Sequence, residues 1–222
     1  MNLPSNQRDN PSEERMSIPL KTGSCAGYFS RGRDPIARVR SGDRVRLRTP
    51  EANWFVHNQP RPLCESNLVM WEARQREDSG HCMIGPIEVV GAEPGMVLEV
   101  EIEDVVPGSW GWSGAEQNDR SWGRKLGLDE GSFLSLLWEI DVDAGLARNQ
   151  FGDEVRLRPF PGLIGMPPNL PGRHSTVPPR NFGGNLDCRE LVAGSRLFLS
   201  LIHISEPTRP QRREFGGLWL RK

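Results

Sequence analysis

The chain has 222 residues and balances 28 lysines and arginines against 29 aspartates and glutamates, for a formal net charge of −1. This balance argues against a globally basic nucleic-acid-binding protein and against a polyacidic tail. No apolar run reaches the ~18–20 residues of a membrane-spanning helix, and the polar N-terminus has no apolar core of a secretory signal. With four cysteines in no CxxC pattern, these features predict a cytoplasmic protein that has no membrane partner.

Glycine and proline are frequent, at 24 and 19 residues, and the apolar stretches between them are short. This composition is typical of mainly β folds, in which turns interrupt the chain every few residues. Residues 1–20 carry three prolines and no apolar periodicity, which predicts a disordered N-terminal arm. From Ile36 to Leu47, apolar residues alternate with arginines around a Ser-Gly-Asp turn at 41–43, which predicts a hairpin.

A second hairpin gives the clearest local signal. One strand is predicted from Met83 to Val90, a Gly-Ala-Glu-Pro-Gly turn over 91–95, and a return strand from Met96 to Val105. Apolar residues at 98, 100 and 102 alternate with glutamates at 99, 101 and 103 in the return strand. One of its faces is therefore predicted to be buried and the other to be carboxylate-rich.

Later segments give further strands and two open alternatives. Strands are predicted over 136–142 and 154–160, with a turn at 143–145, while the patterns over 63–76 and 129–136 permit short helices. The three tryptophans within 109–127 could line a substrate-covering loop, but capping of sheet edges is the favoured interpretation. The arginines over 31–48 are interpreted as a solvated face and not as a nucleic-acid site.

The C-terminal residues have an unusual composition. The string LSLIHISEPTR, over 199–209, resembles the translation of a widely used sequencing adapter, and no periodic pattern follows it. A segment derived from an adapter carries no information about the fold. The sequence therefore predicts a domain over 21–199, a non-native tail over 200–222, and no functional role for His203.

Four residues are candidates for chemistry. His81 stands where a turn meets the second predicted hairpin, a position at which a sheet can hold an imidazole rigidly at a cleft. Asp187 ends a Gly-Gly-Asn-Leu-Asp segment, in which glycines allow close backbone approach and side-chain oxygens can bind a metal or water. His174 lies in a proline-framed loop, and His57 has no distinguishing context. One imidazole and one carboxylate form an incomplete zinc site, since hydrolytic zinc normally has three protein ligands.

Two runs together resemble the acetamidase/formamidase family: GHCMIGPIEVVGAEPGMVLEVEIEDV over 80–105 and RHSTVPPRNFGGNLDCRELVAGSRLFL over 173–199. The resemblance extends from about residue 27 to 199 and is weakest over 57–79. It implies a β-sandwich-like fold with an added C-terminal α+β part, and a homo-oligomer. That α+β part is expected to be largely missing, because the chain lacks the family's later Gly/Asp/His/Glu-rich segment.

The resemblance also implies an activity and a site. The family's members hydrolyse formamide, acetamide and other short linear amides to a carboxylic acid and ammonia. Matched to this sequence, His81 and Asp187 are expected to bind a divalent metal, with zinc as the first expectation, and His174 to be a catalytic residue. The expected partners are a small amide and further copies of the chain, with no nucleic acid. The alternative is a non-catalytic, truncated β-sandwich fragment that only binds a ligand or a partner subunit.

Overall fold

The structure, a computed structural model, describes residues 15–57, 68–115, 134–201 and 217–221. Sixteen β-strands and no α-helix lie within these ranges, which confirms the predicted mainly β class. No helix in the described ranges is long and apolar enough to cross a membrane. In chain order the strands are β1 (Arg15–Ile18), β2 (Cys25–Ala26), β3 (Ala37–Val39), β4 (Arg44–Leu47), β5 (Phe55–His57), β6 (Leu68–Met70), β7 (Met83–Val89), β8 (Val97–Glu101), β9 (Trp110–Ala115), β10 (Leu134–Asp141), β11 (Leu146–Asn149), β12 (Glu154–Arg156), β13 (Leu163–Gly165), β14 (Gly183–Asn185), β15 (Arg196–Ser200) and β16 (Gly217–Arg221).

A six-stranded sheet is built around β7. Its order is β14-β13-β16-β7-β2, and β3 also pairs with β7. Because β16 and β3 pair with the same residues of β7, they lie on its opposite edges. With both edges paired and both faces covered, β7 is a buried strand, and its one charged residue, Glu88, forms an ion pair with Arg38. The backbone of β16 belongs to the segment assigned above to the tail, and it pairs between β13 and β7.

The pairing of the second predicted hairpin is wrong. The turn over 91–95 is present and β8 follows it, but β8 pairs with β15 in a separate antiparallel sheet. Both edges of β7 are already occupied, so β8 finds no backbone partner there. The predicted alternation of β8 is confirmed, since Leu98 and Val100 pack against the core while the intervening glutamates are exposed.

The first predicted hairpin is also divided between two sheets. Its turn is present, with the Asp43 amide donating to the Arg40 carbonyl at 3.1 Å. However, β3 pairs in parallel with β7, and β4 pairs in parallel with β1, whose residues 15–18 belong to the predicted arm. The helices permitted by sequence are not found in the described parts of 63–76 and 129–136, which contain β6 and the start of β10.

A four-stranded antiparallel sheet has the order β12-β11-β10-β9. It contains both later strands and the turn predicted at 143–145, although β12 is shorter than expected. Trp110 and Trp112 lie on the edge strand β9, with ring centroids 6.0 Å from His57 and 6.2 Å from Phe55. This is the sheet-edge position that the sequence favoured, while Trp122 lies outside the described residues.

Apolar clusters cover both faces of the central sheet. Ile84 of β7 and Ile164 of β13 lie in two clusters on one face, where the β1–β4 and β8–β15 pairs supply the opposing side chains. Their neighbours Met83 and Leu163 point to the opposite face and pack with Phe29. The sheet is therefore a rigid support for the residues at its ends.

Candidate functional site

The ladder register brings two of the predicted site residues, His81 and Asp187, to one end of the central sheet. Gly184, Ile164 and Ile84 lie in one row across β14, β13, β16 and β7. His81 precedes Ile84 by three residues and Asp187 follows Gly184 by three, and β14 runs antiparallel to β7. Both residues therefore leave the sheet at the same end. Three strand spacings of ~4.8 Å separate β7 from β14, which places their backbones ~14 Å apart.

The backbone around His81 is held by three hydrogen bonds from distant parts of the chain. The Gly80 amide donates to the Gly27 carbonyl at 2.9 Å, and the Gly80 carbonyl accepts from Trp54 Nε1 at 2.9 Å. The His81 amide donates to Thr176 Oγ1 at 2.8 Å. Each bond ties a different segment to the same two residues, so the backbone that carries the imidazole is held in place before any ligand binds.

Close packing makes glycine necessary at position 80. A Cβ atom there would lie 2.3 Å from Thr176 Oγ1 and 2.5 Å from the Gly27 carbonyl oxygen. Trp54, which is only 2% exposed, adopts a left-handed backbone with φ of 66° to bring its indole to the Gly80 carbonyl. Such a conformation is costly for a bulky side chain and persists only where surrounding contacts require it.

His174 lies beside the same segment. Its backbone exchanges two hydrogen bonds of 2.9 Å with Phe29, two residues after Gly27. Its Nε2 lies 3.1 Å from the Leu170 carbonyl oxygen. Two residues later, the fully buried Thr176 contacts His81. Residues 27–29 therefore contact both the loop of His174 and the residues that hold His81. Gly80, Trp54 and Thr176, together with Gly27, are called the His81 mount below.

Asp187 is in a more open environment. Its side chain is exposed, its backbone is left-handed with φ of 43°, and its amide donates to the Gly162 carbonyl at 3.0 Å. The carboxylate accepts from Asn185 Nδ2 at 3.1 Å. Asn185 Oδ1 is buried and has no hydrogen-bond partner among the residues that the structure describes. A buried acceptor without a donor is costly, so this atom marks a place where a ligand or water would be stabilised.

Two buried thiols lie behind His81. Cys25 and Cys82 belong to the same apolar cluster, and burial raises the pKa of the Cys82 thiol far above its usual range. A hydrogen bond from Cys82 lowers the pKa of Cys25. Cys82 is therefore kept as a neutral thiol, and a neutral thiol is a poor nucleophile. It contributes packing beneath His81 and no covalent chemistry.

The remaining candidate, His57, packs against a different part of the chain. It lies on β5 against Trp110, and within the described part of the chain its buried Nε2 has no hydrogen-bond partner. Sequence reasoning did not identify Thr176 or Trp54, which hold the His81 segment. Thr176 lies within the run over 173–199 that resembles the family, but nothing singled it out there, and Trp54 had no local signal.

The described residues fit a metal ion only in part. Among them, no group of three or more His, Cys, Asp or Glu side chains could hold one. The unpartnered Oδ1 of Asn185 and the neighbouring Asp187 carboxylate are oxygen donors of the kind that divalent cations accept. These two atoms supply part of a coordination shell, while His81 stands three strands away.

The fold is similar to that of several solved enzymes. These are a gamma lactamase from Delftia acidovorans (TM-score 0.66, 19% identity, covering 94% of this chain and 61% of that chain), an acetamidase from Bacillus halodurans (0.65, 21%, 93% and 68%) and a protein described as a predicted acetamidase/formamidase from Thermoanaerobacter tengcongensis (0.64, 21%, 93% and 60%). At this identity the likeness shows the fold alone. The class defined by the structure is therefore a mainly β chain with the fold of these solved proteins.

Sequence comparison gives the family. The Acetamidase/Formamidase family matches residues 35–172, which is more than half of the chain and includes His81. The chain therefore belongs to the acetamidase/formamidase family, as its motifs predicted. It is also 34% identical over 113 residues to a Schizosaccharomyces pombe protein named as a putative formamidase, a match that covers 50% of this chain and 25% of that protein. The chain thus covers about a quarter of this relative and 60–68% of the solved ones.

Proposed function

We propose that the chain acts in the hydrolysis of short linear amides of the formamide and acetamide type. The observation that carries this proposal is the family match over residues 35–172, which includes His81 and the Trp54 and Gly80 parts of its mount. Hydrolysis breaks the amide C–N bond, adds the oxygen of water to the carbonyl carbon, and releases a carboxylic acid and ammonia. The catalyst must therefore polarise the carbonyl and direct a water molecule.

The proposed site uses residues at one end of the central sheet. His81 is fixed rigidly by its backbone bonds, His174 lies on the neighbouring loop, and Asp187 presents an exposed carboxylate. We propose His174 as a catalytic residue and His81 as a group that contacts the amide. Asp187 and Asn185 would hold a divalent cation, with zinc as the first candidate. When bound, such a cation polarises carbonyl groups and lowers the pKa of bound water.

Ammonia release tests this function directly. The chain is incubated with formamide, acetamide and butyramide, and ammonia is measured before and after treatment with a chelator. We expect turnover of the short amides, loss of turnover on chelation, and recovery on adding zinc. His81→Ala should reduce kcat by ~100-fold or more, as for removal of other groups that stabilise a developing oxyanion. His57→Ala is the matched control and should stay within about threefold.

A different result would favour the alternative. If the chain unfolds cooperatively but releases no ammonia from any amide, with or without added zinc, it is a non-catalytic β-sandwich fragment that binds a ligand or a partner subunit. Turnover that both His81→Ala and Asp187→Ala leave unchanged would support the activity but refute the site.

We further propose that the chain forms a homo-oligomer through the outer face of the β8–β15 pair. Val97 and Phe198 lie on this face as diagonal neighbours, and they are 61% and 60% exposed. Contiguous exposed apolar surface marks protein interfaces, and these two side chains would supply the apolar centre of such a surface. Light scattering should show that Phe198→Glu lowers the molar mass to that of one chain, while Phe151→Glu, at another exposed position, leaves it unchanged. An unchanged mass in Phe198→Glu would refute this interface.

A further inference from the structure

The Thr176 hydroxyl makes two contacts with one residue. Its oxygen accepts the His81 backbone amide at 2.8 Å and lies 3.2 Å from His81 Nδ1. Thr176 is completely buried, so its hydroxyl has no solvent to bond with. The two residues are 95 positions apart in the chain, and the missing side chain of Gly80 leaves room for their contact.

Hydrogen-bond accounting decides the direction of the second contact. A threonine hydroxyl has one proton to donate and two lone pairs to accept with. The His81 amide occupies one lone pair. Within the described residues, the one acceptor in contact with Oγ1 is His81 Nδ1. If Nδ1 carried a proton, both contacts would be donors to Oγ1, and the buried hydroxyl proton would have no acceptor, which is costly.

We infer that Thr176 is a positioning residue that donates its hydroxyl proton to His81 Nδ1 and so keeps the neutral imidazole protonated at Nε2. His81 then acts as a hydrogen-bond donor through Nε2 and not as a metal ligand. This inference rests on the proposed function for the identity of the acceptor, which is the carbonyl oxygen of the amide. It does not rest on it for the tautomer.

The tautomer sets the chemistry open to His81. A neutral imidazole that donates from Nε2 can stabilise the negative charge that develops on the carbonyl oxygen as water attacks. A metal ligand would instead need a lone pair on Nε2, and therefore a proton on Nδ1. That arrangement leaves the Thr176 hydroxyl without an acceptor. Any divalent cation at this end of the sheet is therefore assigned to the oxygen donors of Asn185 and Asp187.

Nitrogen-15 NMR of the histidine rings tests the inference without any turnover. The full chain is labelled at its imidazole nitrogens and studied well above the usual titration range of histidine, and the His81 signals are assigned from a His81→Gln spectrum. We expect a protonated Nε2 and an unprotonated Nδ1. Added zinc should leave the His81 nitrogens unshifted. A proton on Nδ1, or a zinc-induced shift of Nε2, would overturn the inference.

Two variants separate positioning from packing. Thr176→Ser keeps the hydroxyl and should retain the Nε2–H tautomer, whereas Thr176→Val keeps the shape and should give a mixture of tautomers. If the chain turns over amides, Thr176→Val should lower kcat about tenfold or more with KM nearly unchanged, and Thr176→Ser should restore most of it. Retention of a pure Nε2–H tautomer in Thr176→Val would also overturn the inference. A chain with the expected tautomers but no turnover would refute the proposed function alone.

Discussion

The segments that end in His81 and in Asp187 lie at the same end of one sheet, yet their surroundings differ. His81 follows a glycine enclosed by Gly27, Trp54 and Thr176, and its backbone amide and Nδ1 both contact a buried hydroxyl. Asp187 is exposed, and the buried Oδ1 of nearby Asn185 has no hydrogen-bond partner in the described ranges. The strand order explains the difference, because β7 is paired on both sides whereas β14 is at the edge of the sheet.

This difference shows which residues are fixed by the fold and which remain available to a ligand. Every contact of the His81 mount depends on buried atoms, so a change there is expected to lower the free energy of unfolding. Little of the Asp187 side-chain surface is buried, so a change there should act on ligand binding and leave the fold intact. Variants in the two segments can therefore test whether this contrast holds.

The largest effect is expected for Gly80→Ala. The new Cβ would lie 2.3 Å from Thr176 Oγ1 and 2.5 Å from a backbone oxygen, so the mount must move apart. We expect a loss of about 3 kcal/mol or more in the free energy of unfolding, measured by urea denaturation. Gly108→Ala is the matched control, since a Cβ there meets nothing within 4 Å, and it should change stability by less than ~0.5 kcal/mol. Equal effects at the two positions would show that the mount is not tightly packed.

Trp54→Phe should have the next largest effect. It removes the indole N–H that donates to the Gly80 carbonyl at 2.9 Å and leaves a small cavity in a buried cluster. The expected loss is about 2 kcal/mol, because a carbonyl loses its donor and apolar contacts are lost. Trp110→Phe is the control, since its indole donates no hydrogen bond in the described structure, and it should cost clearly less. A smaller loss in Trp54→Phe than in the control would remove Trp54 from the mount.

The buried Cys82 thiol makes the free energy of unfolding depend on pH. Burial raises the pKa of Cys82 in the folded chain above the unfolded value of ~8.5, so the folded state keeps a proton that the unfolded state loses. Its contribution to stability is full below pH ~8.5 and falls as the pH rises, by about 1.4 kcal/mol per unit. The lowered pKa of Cys25 stabilises the folded chain as its thiol ionises, and this gain is complete once the unfolded thiol has also ionised.

Urea denaturation between pH 8.5 and 10, with a chelator present, measures this slope. We expect stability to fall in the wild-type chain and the fall to be much shallower in Cys82→Ser, whose hydroxyl does not titrate in this range. Cys188→Ser, at a half-buried free cysteine, should keep the wild-type slope. A wild-type slope that persists in Cys82→Ser would assign the effect to other groups.

The individual strands were predictable because period-two alternation is a local property. The glutamates at 99 and 101 and the apolar residues between them were enough to place β8 and its buried face. The pairing was not predictable in the same way, since both expected hairpins assumed that neighbouring strands join. β7 instead takes its partners from residues 25–26, 37–39 and 217–221. A strand can pair only with an edge that no other strand occupies, and which edges are free depends on the whole chain.

The candidate site was likewise predictable in its local features and not in its long-range contacts. His81 and Asp187 could be selected from turn-to-strand and Gly-Gly-Asn contexts, and the register then placed them at one end of the sheet. The residues that determine how His81 behaves could not be found locally. Thr176 is 95 positions away from it, and Trp54 reaches Gly80 only through a left-handed backbone that alternation does not reveal.

The smallest effect on stability, and the most direct test of the contrast, is expected for Asp187→Asn. The side chain is exposed, and asparagine tolerates the left-handed backbone at φ of 43° as well as aspartate does. The free energy of unfolding should therefore change by less than ~0.5 kcal/mol, whereas ammonia release should fall because the carboxylate charge is lost. Asp187→Gly, which relieves the left-handed conformation, should be as stable as Asp187→Asn and should show the same fall in ammonia release. A loss above ~1 kcal/mol in Asp187→Asn would mean that the carboxylate supports the fold, and the two segments would then differ only in exposure.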